Sequence, residues 1–153
     1  MRNKYLLIIG LMLLPVACDL MPEIYYQFRS FPQSEWNVQE EIRFEVSIDD
    51  TTEHYNVYII VRNTDKYNFS SIRLIVDILN TDHTTQTDSL HVQLADSNGR
   101  WYGTGISLYD VEIPYQTNIQ YPDSGVCVYT IRQGMAENPL QGISDVGLLV
   151  VRN

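Results

Sequence analysis

The sequence predicts an all-β fold: an antiparallel β-sandwich or jelly-roll-like domain of about eight strands, behind an export segment. Three observations predict it. Beyond residue 23 the apolar residues recur with a period of two rather than 3.6. The composition is rich in Tyr (11 residues) together with Ile, Val and Thr, which suits half-buried pleated strands. Turn signals separate the apolar bands, and no stretch holds a helix of normal length.

The elements follow in order. Ile24, Tyr26 and Phe28 alternate with Tyr25, Gln27 and Arg29. Ile42, Phe44, Val46 and Ile48 form the clearest half-buried strand, ended by Asp49-Asp50. Tyr55, Val57, Ile59 and Val61 make the next, ended by Asn63-Thr64-Asp65. Ile72, Leu74, Val76 and Ile78 follow, and Ile75 and Leu79 make the opposite face apolar too, so this strand is expected to be central and covered on both sides. Residues 80–87 are polar, Thr-rich and read as a loop. Leu90, Val92 and Leu94 alternate with His91 and Gln93, and Asp96-Ser97-Asn98-Gly99 reads as a hairpin turn. Trp101 to Leu108 is the expected return strand, loosened by Gly103 and Gly105; residues 109–121 are less regular. Val126, Val128 and Thr130 continue the pattern. Gly134 to Gly142 has room for one helical turn, which Pro139 keeps short. Val146 to Val151 reads as the closing strand.

The first residues have a different character. Met1-Arg2-Asn3-Lys4 is basic, Tyr5 to Val16 is apolar apart from one Gly and one Pro, and Ala17-Cys18-Asp19 follows. This is the order of a secretory signal, and its apolar run is too short for a stable membrane span. A cysteine directly after a small residue resembles a lipobox, although Pro15 stands where Leu, Val or Ile is usual. The expected organisation is therefore a lipoprotein signal peptide at 1–17, a lipidated N-terminus and tether at 18–23 with Cys18 as the lipid-attachment residue, and a β-sandwich domain at 24–153. Two or more acyl chains anchor a protein stably, at ~0.8 kcal/mol per buried CH2.

The formal net charge of the 153 residues is −9. Removal of residues 1–17 takes away Arg2 and Lys4 and leaves 8 basic against 19 acidic side chains, a balance of −11. Such a surface repels phosphate backbones, and no Lys/Arg cluster offsets it, so no nucleic-acid partner is expected. Cys127 lies in the apolar run Val-Cys-Val-Tyr-Thr-Ile and reads as a small buried side chain.

The chemical motifs are sparse. His54, His83 and His91 are scattered, with no His-x-x-x-His or Cys-x-x-Cys spacing and no EF-hand rhythm, so no metal site is expected. There is no Gly-x-Ser-x-Gly elbow and no phosphate loop. Among 19 acids, one close pair of carboxylates would arise by chance, so a hydrolase using such a pair is a weak reading. No catalytic residue, cofactor or small-molecule substrate is expected. Trp36, Trp101, Tyr102, Tyr109, Tyr115 and Tyr121 fall largely at turns or irregular segments. They seal the ends of the core on one reading and form a contact or sugar-stacking platform on the other.

Three stretches resemble the gliding-motility lipoprotein family GldH of Bacteroidetes. They are Val61-Arg62-Asn63 with Tyr67-Asn68-Phe69 and Ile72-Arg73-Leu74; Leu94 to Gly103 (Leu-Ala-Asp-Ser-Asn-Gly-Arg-Trp-Tyr-Gly); and Tyr129 to Met135 leading to Leu140 to Leu148. Within them Asn98-Gly99 is expected to set the turn, Trp101 to pack just beyond it, and Gly142 and Gly147 to permit close turns near the last strand. The resemblance covers nearly the whole chain. It implies a non-enzymatic cell-envelope lipoprotein, held at the membrane by its lipid, with the outer membrane the favoured location. It would support gliding motility and the associated protein secretion machinery through envelope-protein contacts. The alternative is a surface-exposed carbohydrate-binding module. In that phylum, Asp50-Thr51-Thr52 and Asp88-Ser89-Leu90 also resemble an O-glycosylation pattern, making Thr51 and Ser89 candidate sites.

Overall fold

Alternating apolar and polar side chains cannot bury both faces of one strand, so strands of this kind pair into sheets and stack the sheets apolar face to apolar face. That is what the chain does. The computed structural model describes residues 22–153. Cys18 and the export segment lie outside the described residues.

Eight long strands and two short ones are present: β1 (Glu23–Ser30), β2 (Glu35–Trp36), β3 (Ile42–Ile48), β4 (Tyr55–Thr64), β5 (Ser71–Leu79), β6 (Thr85–Gln93), β7 (Leu108–Ile119), β8 (Gly125–Gln133), β9 (Leu140–Gln141) and β10 (Ile143–Arg152). The only helical element among the described residues is a single 3-10 turn at Pro32–Ser34. One four-stranded sheet has the order β1-β10-β4-β7 and the other β3-β8-β5-β6; β2 and β9 form a small pair. All pairings are antiparallel.

The core lies between the two sheets. Tyr55, Val57, Ile59 and Val61 on β4 and Val146, Leu148 and Val150 on β10 meet Ile42, Phe44, Val46 and Ile48 on β3, Ile72, Leu74, Val76 and Ile78 on β5, and Cys127, Tyr129 and Ile131 on β8. Each fully buried branched or aromatic side chain contributes about 1.5–3 kcal/mol. The two open sides of the sandwich are closed differently. On one side the Tyr25 ring of β1 meets Phe44 of β3 edge-on, centroids 6.3 Å apart. On the other the Tyr115 hydroxyl of β7 donates to the Asp88 carboxylate of β6, 2.5 Å away. Between them, Tyr121 donates to Tyr129 at 2.7 Å and Tyr129 to the Gln116 side-chain oxygen at 3.1 Å, so the buried hydroxyls are paired.

Several expectations are corrected. Residues 101–107 are not a return strand. The Asp96–Gly99 turn joins Ala95 and Trp101 in a single bridge, and Gly105 at φ 145 turns the chain away. The strand is β7, read from sequence as less regular, and it pairs with β4 rather than β6. Tyr109, Val111, Ile113 and Tyr115 carry its alternation, and Pro114 interrupts the signal. Proline is tolerated there because β7 is an edge strand with a free side for the missing N–H. The loop expected at 80–87 ends early, since β6 begins at Thr85; its threonines are exposed at the sheet edge. Gly134 to Gly142 holds no helical turn but ends in β9, after a cis Asn138–Pro139 peptide. β5 lies within its sheet as expected, but among the described residues its outer face is only partly covered: the segment at Gly134–Met135 lies over Arg73 and Ile75, and Leu79 is exposed. Gly147 is not at a turn: it sits within β10 beneath the Phe28 ring, and a Cβ there would lie 2.6 Å from Phe28 Cε1.

Candidate interaction surface

Three segments far apart in sequence meet at the end of the sandwich opposite the start of β1. β4 leaves its sheet at Thr64, and the following turn carries Tyr67 and Phe69. The turn after β6 carries Trp101, and the turn before β10 carries Gly142. The segments are held together mainly through backbone groups. Leu94 and Ala95 N–H both donate to the Ser70 carbonyl at 2.8 and 3.0 Å, Thr64 N–H donates to the Gly142 carbonyl at 2.8 Å, and Gly142 N–H donates to the Ser34 carbonyl at 2.8 Å.

Tyr67 is the hub. Its hydroxyl donates to the Ser71 carbonyl at 2.9 Å, and its ring lies 5.7 Å from Phe69 and 6.3 Å from Trp101, which in turn lies 6.0 Å from Tyr109. Burial pushes the Tyr67 hydroxyl well above the ordinary tyrosine range, with Glu137 adding to it. Gly142 has φ 88, and a Cβ on it would sit 2.4 Å from the Tyr67 nitrogen, so only glycine allows this approach. The adjoining turn is wired by one side chain: Asp96 accepts the N–H groups of Asn98 and Arg100, both at 2.9 Å. Those bonds, the Arg100 one foremost, hold its carboxyl below the usual range.

Tyr67, Asn68, Phe69, Ser70, Ala95, Gly99 and Trp101 enclose a cleft of about 220 Å³. Beyond it the loop from Tyr102 to Leu108 exposes apolar groups to solvent: Ile106 is 91% exposed and Tyr102 60%. The Tyr109 hydroxyl fixes this loop by donating to the Ile106 carbonyl at 2.8 Å.

Of the six aromatics singled out in the sequence, Trp36 and Tyr121 are buried, and Trp101, Tyr109 and Tyr115 are half-buried. Tyr102 alone of the six is mainly exposed. Trp36 stacks on Phe31 with centroids 4.7 Å apart and donates its indole N–H to the Glu40 carbonyl at 2.9 Å. Tyr67 and Phe69 stand in the first family-like stretch but were not among the aromatics singled out, and Ile106 was not marked at all; Tyr67 lies in a polar turn, Asn-Thr-Asp-Lys-Tyr-Asn, with no periodicity to mark its ring as buried. Ser89 is exposed on β6, whereas Thr51 is half-buried in the turn after β3, beside the bonds from Thr52 to Asp50. Cys127 is buried as expected, and burial pushes its thiol up to about 11. Among the described residues no three His, Cys, Asp or Glu side chains come together in a metal-holding group. No helix among them is long and apolar enough to cross a membrane.

An antiparallel sandwich with aromatic turns gathered at one end defines the class: a small all-β module whose most exposed apolar side chains lie on one terminal loop. The chain belongs to the GldH lipoprotein family, whose model matches residues 23–150. It is similar to the gliding motility lipoprotein GldH homolog of Christiangramia forsetii, 28% identical over 145 residues, covering 90% of this chain and 88% of that one. It is also similar to the gliding motility lipoprotein GldH of Flavobacterium johnsoniae, 26% identical over 157 residues, covering 97% and 96%. A solved structure of infectious bursal disease virus, Gx strain, matches with TM-score 0.35 and 19% identity, over 84% of this chain and 31% of the viral chain.

Proposed function

We propose that this chain is a non-enzymatic lipoprotein of the cell envelope that supports gliding motility and the associated secretion machinery, through protein contacts made at its aromatic end. The observation that carries the reading is the convergence of family-like segments from three parts of the chain on one surface, crowned by Tyr102 and Ile106. Exposed aromatic and branched side chains above a rigid scaffold are what a protein–protein anchor needs.

The anchor in this reading is Cys18, with acyl chains at the membrane, the outer membrane being favoured. Four residues separate Cys18 from Glu23, so the five steps between them reach about 18 Å at most. The ten residues of β4 span about 30 Å, so the aromatic end stands well clear of the bilayer. Thr51 and Ser89 are proposed O-glycosylation sites; exposed Ser89 is the more accessible of the two.

The test replaces Tyr102 and Ile106 together, by Ala and Asp, in a gliding host that makes no other copy. Loss of colony spreading is expected with the protein at its normal envelope level. Spreading unchanged at that level overturns the proposal. A second reading, glycan binding, draws on the aromatic lining of the 220 Å³ cleft. Its rings lean on one another rather than presenting open faces, which favours protein contact. Sugar binding by the purified chain on a glycan array would reverse that preference.

A further inference from the structure

The outer face of the second sheet carries two sets of charged groups with different surroundings. Toward the middle, Arg132 is paired with Asp77 and approaches Glu41, and Asp77 also accepts the Thr87 hydroxyl at 2.6 Å. Arg43 is likewise paired with Glu45 at 2.9 Å. Arg73 differs. It lies on β5 directly across from His91 of β6, and among the described residues no acid lies within ion-pair distance of it. Arg29, Lys66 and Arg152 also make no ion pair among the described residues, so what sets Arg73 apart is how its side chain is held.

Arg73 is also held in place. β8 ends at Gln133, and the chain beyond it wraps over Arg73: Gly134 N–H donates to the Arg73 carbonyl at 2.8 Å, and the Met135 sulfur accepts Arg73 N–H at 3.3 Å. The side-chain stem lies across Gly134, where a Cβ would come within 3.1 Å of Arg73 Cγ and 3.2 Å of Cδ. Ser71, Arg73, His91, Gly134, Met135 and Ala136 line an open cleft of about 410 Å³. It adjoins the aromatic cleft, since Ser70 lines one and Ser71 the other.

We infer that this cleft binds a carboxylate presented by a partner polypeptide. The guanidinium is a planar fork that takes a carboxylate through two parallel hydrogen bonds. His91 and the Ser71 hydroxyl add donors from either side, and Met135 and Ala136 give an apolar wall for the carbon that bears the carboxylate. A phosphate carries more charge than one arginine offsets on so acidic a domain, and it has no use for that wall. The inference stands on Arg73 and its cleft and is independent of the motility reading.

The test is an NMR titration of the detergent-solubilised mature chain, ¹⁵N-labelled. N-acetylglycine presents a chain-end carboxylate and N-acetylglutamyl methylamide a side-chain one; inorganic phosphate and sodium chloride serve as comparisons at matched ionic strength. Saturable shifts at Arg73, Gly134 and Met135 with either carboxylate are expected, and the tighter of the two assigns the source. Arg73→Gln, an exposed change that leaves the core intact, is expected to weaken binding at least about 10-fold, and Arg73→Lys to fall between. Shifts no larger than those from chloride, tighter binding of phosphate, or unchanged affinity in Arg73→Gln with an otherwise native spectrum would each overturn the inference.

Discussion

Trp101 leans on Tyr67 across 33 residues of intervening chain, with ring centroids 6.3 Å apart and planes inclined at 44°. The contact joins the turn after β6 to the turn after β4, and Tyr109 backs Trp101 from β7. Removing the indole therefore loosens three segments at once. Trp101→Ala is expected to destabilise the domain by about 2 kcal/mol, below the ~3–5 kcal/mol of a fully buried Trp because the side chain is half-buried. Urea unfolding measures this, and an unchanged midpoint would show that the cluster is not cooperative with the fold.

Two glycines with left-handed backbone separate steric from conformational cost. Gly142→Ala places a methyl 2.4 Å from the Tyr67 backbone and is expected to cost about 3 kcal/mol or more. Gly99→Ala, at φ 78 with nothing within 4 Å of its Cβ, is expected to cost only about 1–2 kcal/mol. Thermal denaturation of the pair reads the difference, and equal losses would contradict the packing at Tyr67.

Acid should act on the Asp96 turn in a defined direction. The Arg100 and Asn98 N–H groups favour the carboxylate, so its folded pKa lies below the unfolded value of about 3.9. The unfolded chain then takes up the proton first. The contribution of Asp96 is fully present above pH of about 4 and is lost as pH falls through the depressed value. Protection of the Asn98 and Arg100 amides from exchange, measured against the intrinsic rate at each pH from 6 to 3, is expected to fall only below about pH 4. In Asp96→Ala that protection should be low throughout.

Cys18→Ala is expected to move the chain from the membrane to the soluble fraction. Intact mass of the native protein is expected to show acyl chains on a mature first residue Cys18, with any further glycan mass removed by Thr51→Ala or Ser89→Ala. An unmodified mass beginning elsewhere would defeat the anchoring proposal.

The sheets were more legible in the sequence than the surface was. Ile42 to Ile48 alternate without a break, and the structure buries each apolar member of that run. Periodicity reports which face meets the core, so it works where one face is wet and one dry. It failed at β7, where Pro114 and the exposed Leu108 blur a strand that pairs along one side only. It also could not see Tyr67 or Ile106, because a ring seated by a turn and a side chain projected by a loop carry no period. The three family-like stretches meet at one end of the molecule, although what joins them, Gly142 beneath Tyr67 and Ser70 beneath Leu94, is tertiary and has no local signature.

Strand β1 receives the chain at one end of the sandwich and runs, register by register from Tyr25 to Ser30, along β10 toward the other. Were the chain held at Cys18 and bound at Tyr102 and Ile106, as proposed, traction would run roughly along those strands. The β1–β10 hydrogen bonds would then bear the load together, in shear, instead of opening one after another like a zipper. A coupling between a membrane and a moving machine is best built so, and here the first strand of the domain would serve as its tendon.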